Sequence, residues 1–150
     1  MSTNDSAAEF QRLTQAFFRA VSFEPGGKPP YDTIHGLFIE QGLLIKNVGD
    51  QPEISSVAQF IAPRQALVDS GRLTRFHEAE LWADTVVFGN VGHRYSAYEK
   101  AGTQDGKSFE ARGMITTQFV RTPAGWRMSA MAWDDERTGL ALPDAPEKRA

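Results

Sequence analysis

Three histidines, one acidic run and one arginine are the residues of this 150-residue chain that most invite a chemical reading. His35, His77 and His93 show none of the short spacings, such as H-x-H or H-x₃-H, that bring two imidazoles onto one metal. A metal site would need the fold to gather them with carboxylate help. No metal and no other cofactor is therefore assigned. Asp134, Asp135 and Glu136 could act as general acid and base if burial separated their pKa values. Neighbours on a strand point to opposite faces, however, so a strand-end charge cluster is the simpler reading. Arg112 lies between Glu99 and Glu136 once the strands are registered, and two acids already satisfy its guanidinium. That network is read as structural.

Other chemistry is excluded by absence from the sequence. The chain has no cysteine, which removes disulfides, thiolate nucleophiles and sulfur-ligated zinc. There is no G-x-G-x-x-G, no P-loop and no G-x-S-x-G. The net charge is −3 and the basic residues are scattered among acids, which disfavours a nucleic-acid partner. No stretch reaches the ~18 apolar residues of a membrane span, and Met1 to Phe10 has no apolar signal core. A cytoplasmic location is the default expectation.

What remains is a set of apolar and hydroxyl residues whose value depends on register. From Leu73 the period becomes strand-like, and four strands can be read, about 74–88, 91–101, 108–121 and 126–135. Gly89-Asn90 and Asp105-Gly106 are two-residue hairpin signals, and Thr122 to Trp126 suits a three-residue turn with Gly125 left-handed. With Asp105-Gly106 at the turn, Tyr98 lies opposite Gly113 and Glu99 opposite Arg112. An aromatic ring then covers a bare glycine backbone and opposite charges meet. Across the last hairpin Arg112 faces Glu136, Ile115 faces Trp133 and Thr117 faces Met131. One face carries Tyr98, Ile115, Thr117, Phe119, Met131 and Trp133. The other carries His93, Tyr95, Met114, Thr116, Gln118, Met128, Ala130 and Ala132. A slip of one residue would exchange the last strand's sets.

The elements ahead of the strands are helical. Ser6-Ala7-Ala8-Glu9 has the form of a capping box, and Phe10, Leu13, Phe17 and Val21 follow at helical spacing, giving a helix from about Ala7 to Val21. The Pro- and Gly-rich stretch from Glu24 to Pro30 ends it. A short helix capped at Asp32 carries Ile34, Leu37 and Phe38. A short strand over Leu43–Asn47 and a return at Pro52–Ile54 come next. Ser55 or Ser56 then caps a third helix bearing Val57, Phe60, Ile61, Leu67 and Val68. Pro63 should kink or restart that helix, and Gly71 should stop it. The segment from Leu142 to Ala150 reads as a frayed tail on a single domain whose ordered core spans about 7–138.

This order, with Leu37-Phe38 before Glu40-Gln41-Gly42, Gly89-Asn90-Val91 entering Tyr98-Glu99, Arg112-Gly113 running to Gln118, Gly125-Trp126-Arg127 and the closing Trp133-Asp134-Asp135-Glu136, resembles the nuclear transport factor 2-like superfamily. That superfamily includes ketosteroid isomerases and polyketide-cyclase-like (SnoaL-like) proteins. The resemblance implies an α+β fold in which a cone-shaped, curled antiparallel sheet wraps around N-terminal helices, and often a homodimer. It transfers no catalytic role, because neither the isomerase's acids nor a dehydratase-type His/Asp set has a match here. The implied site is a pocket in the cone lined by His35, Phe38, Tyr98, Ile115, Thr117, Met131 and Trp133, holding an unknown small apolar molecule. Two functions fit. One is a small-molecule binder or a cofactor-free isomerase, cyclase or dehydratase. The other is a non-enzymatic dimerisation module. Both sheet faces carry apolar residues and the helices can cover only one, so a homodimer through the second face is expected.

Overall fold

Helix α1 runs over Thr3–Val21 in the computed structural model, which describes residues 2–146. Its capping box is Ser2 with Asp5, one turn earlier than Ser6 with Glu9. Both tetrads carry the same signature. Ser6 is buried instead, and Glu9 pairs with Arg12. Phe10, Leu13, Phe17 and Val21 form the buried stripe.

A 3₁₀ helix over Tyr31–Gly36 stands where the second helix was expected, with no side-chain cap from Asp32. Strand β1 (Phe38–Lys46) begins earlier than Leu43, so Phe38 belongs to the sheet and not to that helix. Gly42 marks an irregularity in β1; a Cβ there would come within 2.7 Å of the Phe38 ring. Strand β2 (Glu53–Ser55) pairs antiparallel with β1. Helix α2 (Val57–Asp69) is capped by Ser56 and Gln59 and continues through Pro63 without a new start. It ends at Gly71, whose φ is +76°, with Gly71 N donating to Val68 and Arg72 N to Leu67.

The four long strands are β3 (Leu73–Phe88), β4 (Val91–Gln104), β5 (Lys107–Thr122) and β6 (Gly125–Asp135). They make one six-stranded sheet in the order β2-β1-β6-β5-β4-β3. Every pairing is antiparallel except β1 beside β6, so the sheet is mixed. Tyr98 pairs with Gly113, Glu99 with Arg112, Ile115 with Trp133 and Thr117 with Met131, as the hairpin turns require. The last hairpin closes more tightly than expected, with Thr122 paired to Gly125 at φ +108°.

Strand β6 also departs from the period. Gln118 pairs with Ala130 and Phe119 with Met128, which leaves Ser129 as an extra residue in β6. Its hydroxyl donates to Gln118 Oε1 at 2.8 Å. The bulge turns Met128 onto the face of Phe119, where it is fully buried, so the placing of Met128 on the outer face is corrected. Strand β3 is irregular at Thr74 and again at Leu81.

The fold is thus α+β, with α1, the 3₁₀ helix and α2 packed on the concave side of a curled sheet. The core on that side includes Phe10, Phe17, Phe60, Tyr98, Phe119, Trp126 and Met131. On the convex side His93, Tyr95, Thr116 and Gln118 remain exposed. Residues 147–150 of the expected tail lie outside the described residues.

Candidate functional site

A cavity of about 460 Å³ opens between the concave sheet, α1, the 3₁₀ helix and α2. Its walls are mainly apolar: Phe17 and Val21 come from α1, Phe60 and Leu67 from α2, and Ile115, Met131 and Trp133 from β5 and β6. Phe60 meets Trp133 edge to face at 6.1 Å. A few polar side chains reach the same space, chiefly Arg64, Glu78, Lys100 and Lys46.

Strand pairing puts Glu78 and Lys100 side by side, because they are cross-strand partners on the concave face. Lys100 turns to Asp135, with Nζ 3.1 Å from Oδ1. Tyr98 donates its hydroxyl to the same carboxylate in a short bond, and lies 3.2 Å from the Asp134 carbonyl oxygen. Burial, and then the bond to Asp135, raises the Tyr98 pKa and keeps the phenol protonated. Gly113 makes this contact feasible: a Cβ there would collide with the Tyr98 hydroxyl and the Asp134 carbonyl.

Glu78 is different. It is half-buried, and no described Lys, Arg or His nitrogen comes within salt-bridge distance of its carboxylate. Burial pushes its pKa up to about 7, against the charges of Lys100 and Arg64 and with reinforcement from Asp135. Near neutrality such a carboxyl is present in both protonation states, so it can give or accept a proton. On the opposite wall the Arg64 guanidinium lies 3.7 Å from the Phe60 ring centroid and donates to the Phe60 carbonyl at 2.9 Å. Burial lowers its pKa, while Tyr31, Glu78 and Glu53 oppose that shift.

Comparison with known proteins rests on structure, since no family model and no curated protein matches the sequence. A nuclear transport factor 2-like superfamily protein from Salmonella enterica superposes with a TM-score of 0.75 at 12% identity, over 99% of this chain and 100% of that one. The chain has the nuclear transport factor 2-like fold. An NTF2-like protein of unknown function from Silicibacter pomeroyi superposes at 0.62 with 15% identity, over 91% of this chain and all of that one. One from Cytophaga hutchinsonii gives 0.64 and 11%, over 90% and 99%.

Within this NTF2-like cone, Ile115, Met131 and Trp133 lie together on the cavity wall. Tyr98 and Thr117 share their face but are sealed beneath it. Phe38 packs in the core, 6.4 Å from Phe17. His35 lies on the exposed side of the 3₁₀ helix, away from the cavity. Among the described residues no three His, Asp or Glu side chains gather in a metal-holding group. No described helix is long and apolar enough to cross a membrane. Sequence reasoning missed Glu78, Lys100 and Arg64. Extending the β4 register to β3 from the Gly89-Asn90 turn places Lys100 on the face of Tyr98 but sets Ala79 and Leu81 there in place of Glu78, which reaches that face only through the irregularity at Leu81. Arg64, behind a proline expected to break its helix, gave no such signal.

Proposed function

We propose that the cone holds a small, largely apolar molecule and that Glu78 exchanges protons with it. The observation carrying this reading is an unpaired carboxyl, titrating near neutrality, in an apolar-walled cavity. Such a site suits a cofactor-free isomerisation, cyclisation or dehydration, each of which needs a proton moved on an otherwise apolar framework. Trp133, Met131 and Ile115 would seat the ligand. Tyr98, with Lys100 and Asp135, would stiffen the wall beside Glu78.

Calorimetric titration with neutral two-ring aromatics tests the binding half of the proposal. The NTF2-like chain should take up 2-naphthamide, and Leu67→Trp, which fills the cavity from α2, should abolish uptake while leaving the fold cooperative. Equal uptake by the filled variant would refute the cavity as the binding site.

A second proposal, a homodimer through the convex face, is supported by the apolar side chains left there. Tyr95 is 40% exposed, and Ile54, on the edge strand beside Ile45, is 59% exposed. The contact would use Tyr95, Met114, Thr116, Gln118, Ala130 and Ala132. Met128 drops out of it. Light scattering at micromolar concentration should give twice the mass of one chain, and Gln118→Arg should return it to the monomer value. A dimerisation module without a ligand would keep the dimer and fail the titration.

A further inference from the structure

We infer that the cavity's ligand carries a carboxylate and that Arg64 is its anchor. The inference rests on the cavity being a ligand site and adds the ligand's charge and the residue that reads it. Arg64 is half-buried on the cavity wall, and among the described residues no carboxylate comes within 4.0 Å of its guanidinium. A partly buried cation without an acid partner is uncommon, because desolvation costs free energy that a paired anion normally offsets.

Its geometry is that of a prepared donor. One nitrogen, Nη1, is held by the Phe60 carbonyl and the plane rests against the Phe60 ring, so the fork's orientation is fixed before a ligand arrives. Among the described residues the remaining N–H groups have no protein acceptor within hydrogen-bond distance. Two coplanar N–H groups match the two oxygens of a carboxylate. Lys46 lines the same cavity and, among the described residues, has no ion pair, so it adds positive charge there, offset in part by Glu53 opposite it on β2. Lys100 adds less, since Asp135 already neutralises it.

The acids present argue for one negative charge on the ligand and against two. Glu53 and Glu78 both lie within electrostatic reach of Arg64, and they would oppose a phosphate dianion more than a monoanion. Burial holds Glu78 toward its neutral form, which weakens its share of that opposition. The apolar part of the ligand would then lie along Phe60, Trp133 and Met131, with its charged end at Arg64.

A matched pair of probes separates this inference from the reading beneath it. 2-Naphthoate and 2-naphthamide share one shape and differ in charge. Titrated into the full chain at pH 7.5, the naphthoate should bind at least about tenfold more tightly than the amide, as a charge-assisted contact requires. Arg64→Gln should erase that preference while the amide still binds, which also reports an intact cavity. Lys46→Gln should keep most of the preference. Should Arg64→Gln fold poorly, Arg64→Lys serves, and it should retain only part of the preference because it has no fork. Equal affinity of the two probes for the wild type, or a preference that survives loss of Arg64, overturns the anchor while the cavity reading stands. Binding of neither probe overturns both.

Discussion

The two ends of the cone are built from the same three elements and come out opposite in character. At the closed end, α1 sends Phe10 onto Phe119, stacked at 4.0 Å, with Trp126 edge-on at 4.8 Å. Gly92 lies directly beneath, where a Cβ would come within 2.5 Å of the Phe10 ring. At the open end, α1 offers Phe17, β5 offers Ile115, and β6 offers Met131 and Trp133. The space between them is left as a cavity. The difference lies in what approaches from the third side. Aromatic bulk from α1 fills one end. At the other, α2 borders the cavity with Phe60 and Leu67 and contributes the charged Arg64, so the tightest aromatic packing is at the closed end and the charged groups are at the open one.

The largest expected effect follows from the closed end. Phe119→Ala should cost about 3–5 kcal/mol, the range for removing a fully buried phenylalanine from a packed cluster. Urea denaturation measures it. Uptake of 2-naphthamide should survive under conditions where the variant remains folded. If uptake fails there, the two ends are coupled and the division is wrong.

A smaller effect, of opposite sign, is expected at the open end. Glu78 titrates at about 7 when folded and near 4.5 when unfolded, because burial disfavours its charge. The folded chain therefore binds this proton more tightly. That stabilisation is fully present below the unfolded pKa and is lost as pH rises through 7. Glu78→Gln should remove the dependence, making the variant more stable than the wild type at pH 8 by about 1–2 kcal/mol, a figure reduced for solvent screening. Paired denaturation curves at pH 5 and pH 8 check it. Parallel pH profiles for the two proteins would mean that Glu78 keeps an ordinary pKa, and with it would go the proton-exchanging role.

Much of the sheet was legible because its turns are strongly specified. Asp105 and Gly106 both have positive φ, +52° and +77°, the backbone that a two-residue hairpin demands, and the register from Tyr98–Gly113 outward follows from it. Nothing in Met128-Ser129-Ala130 announces a bulge, since alternation looks intact until the partner strand is placed. The α1 start was ambiguous because two capping tetrads lie four residues apart. The cavity's apolar wall could be read from alternation on β5 and β6. Its charges could not: β3 mixes inward and outward polar residues across the Leu81 irregularity, so Glu78 looks like any solvated acid.

Arg112 supplies the smallest expected effect and bears on the comparison from outside both ends. The sequence placed it between Glu99 and Glu136 as a structural network. The structure retains one arm: Arg112 Nη2 lies 3.0 Å from Glu136 Oε1, and no ion pair joins Arg112 to Glu99. The arginine side chain is 53% exposed, so water competes for both partners and the pair holds little free energy. Glu136 would not be orphaned by the arginine's loss, because its Oε2 also accepts from the Leu142 amide at 2.7 Å. That backbone bond is the first cause of its lowered pKa, ahead of Arg112. Arg112→Ala should therefore leave the thermal midpoint unchanged within error and should alter the affinity of neither naphthyl probe. A marked fall in the midpoint would restore the network reading. Loss of naphthoate binding with the fold intact would move the anion site from Arg64 to Arg112 on β5, and the cavity would no longer be the end of the cone where charge is read.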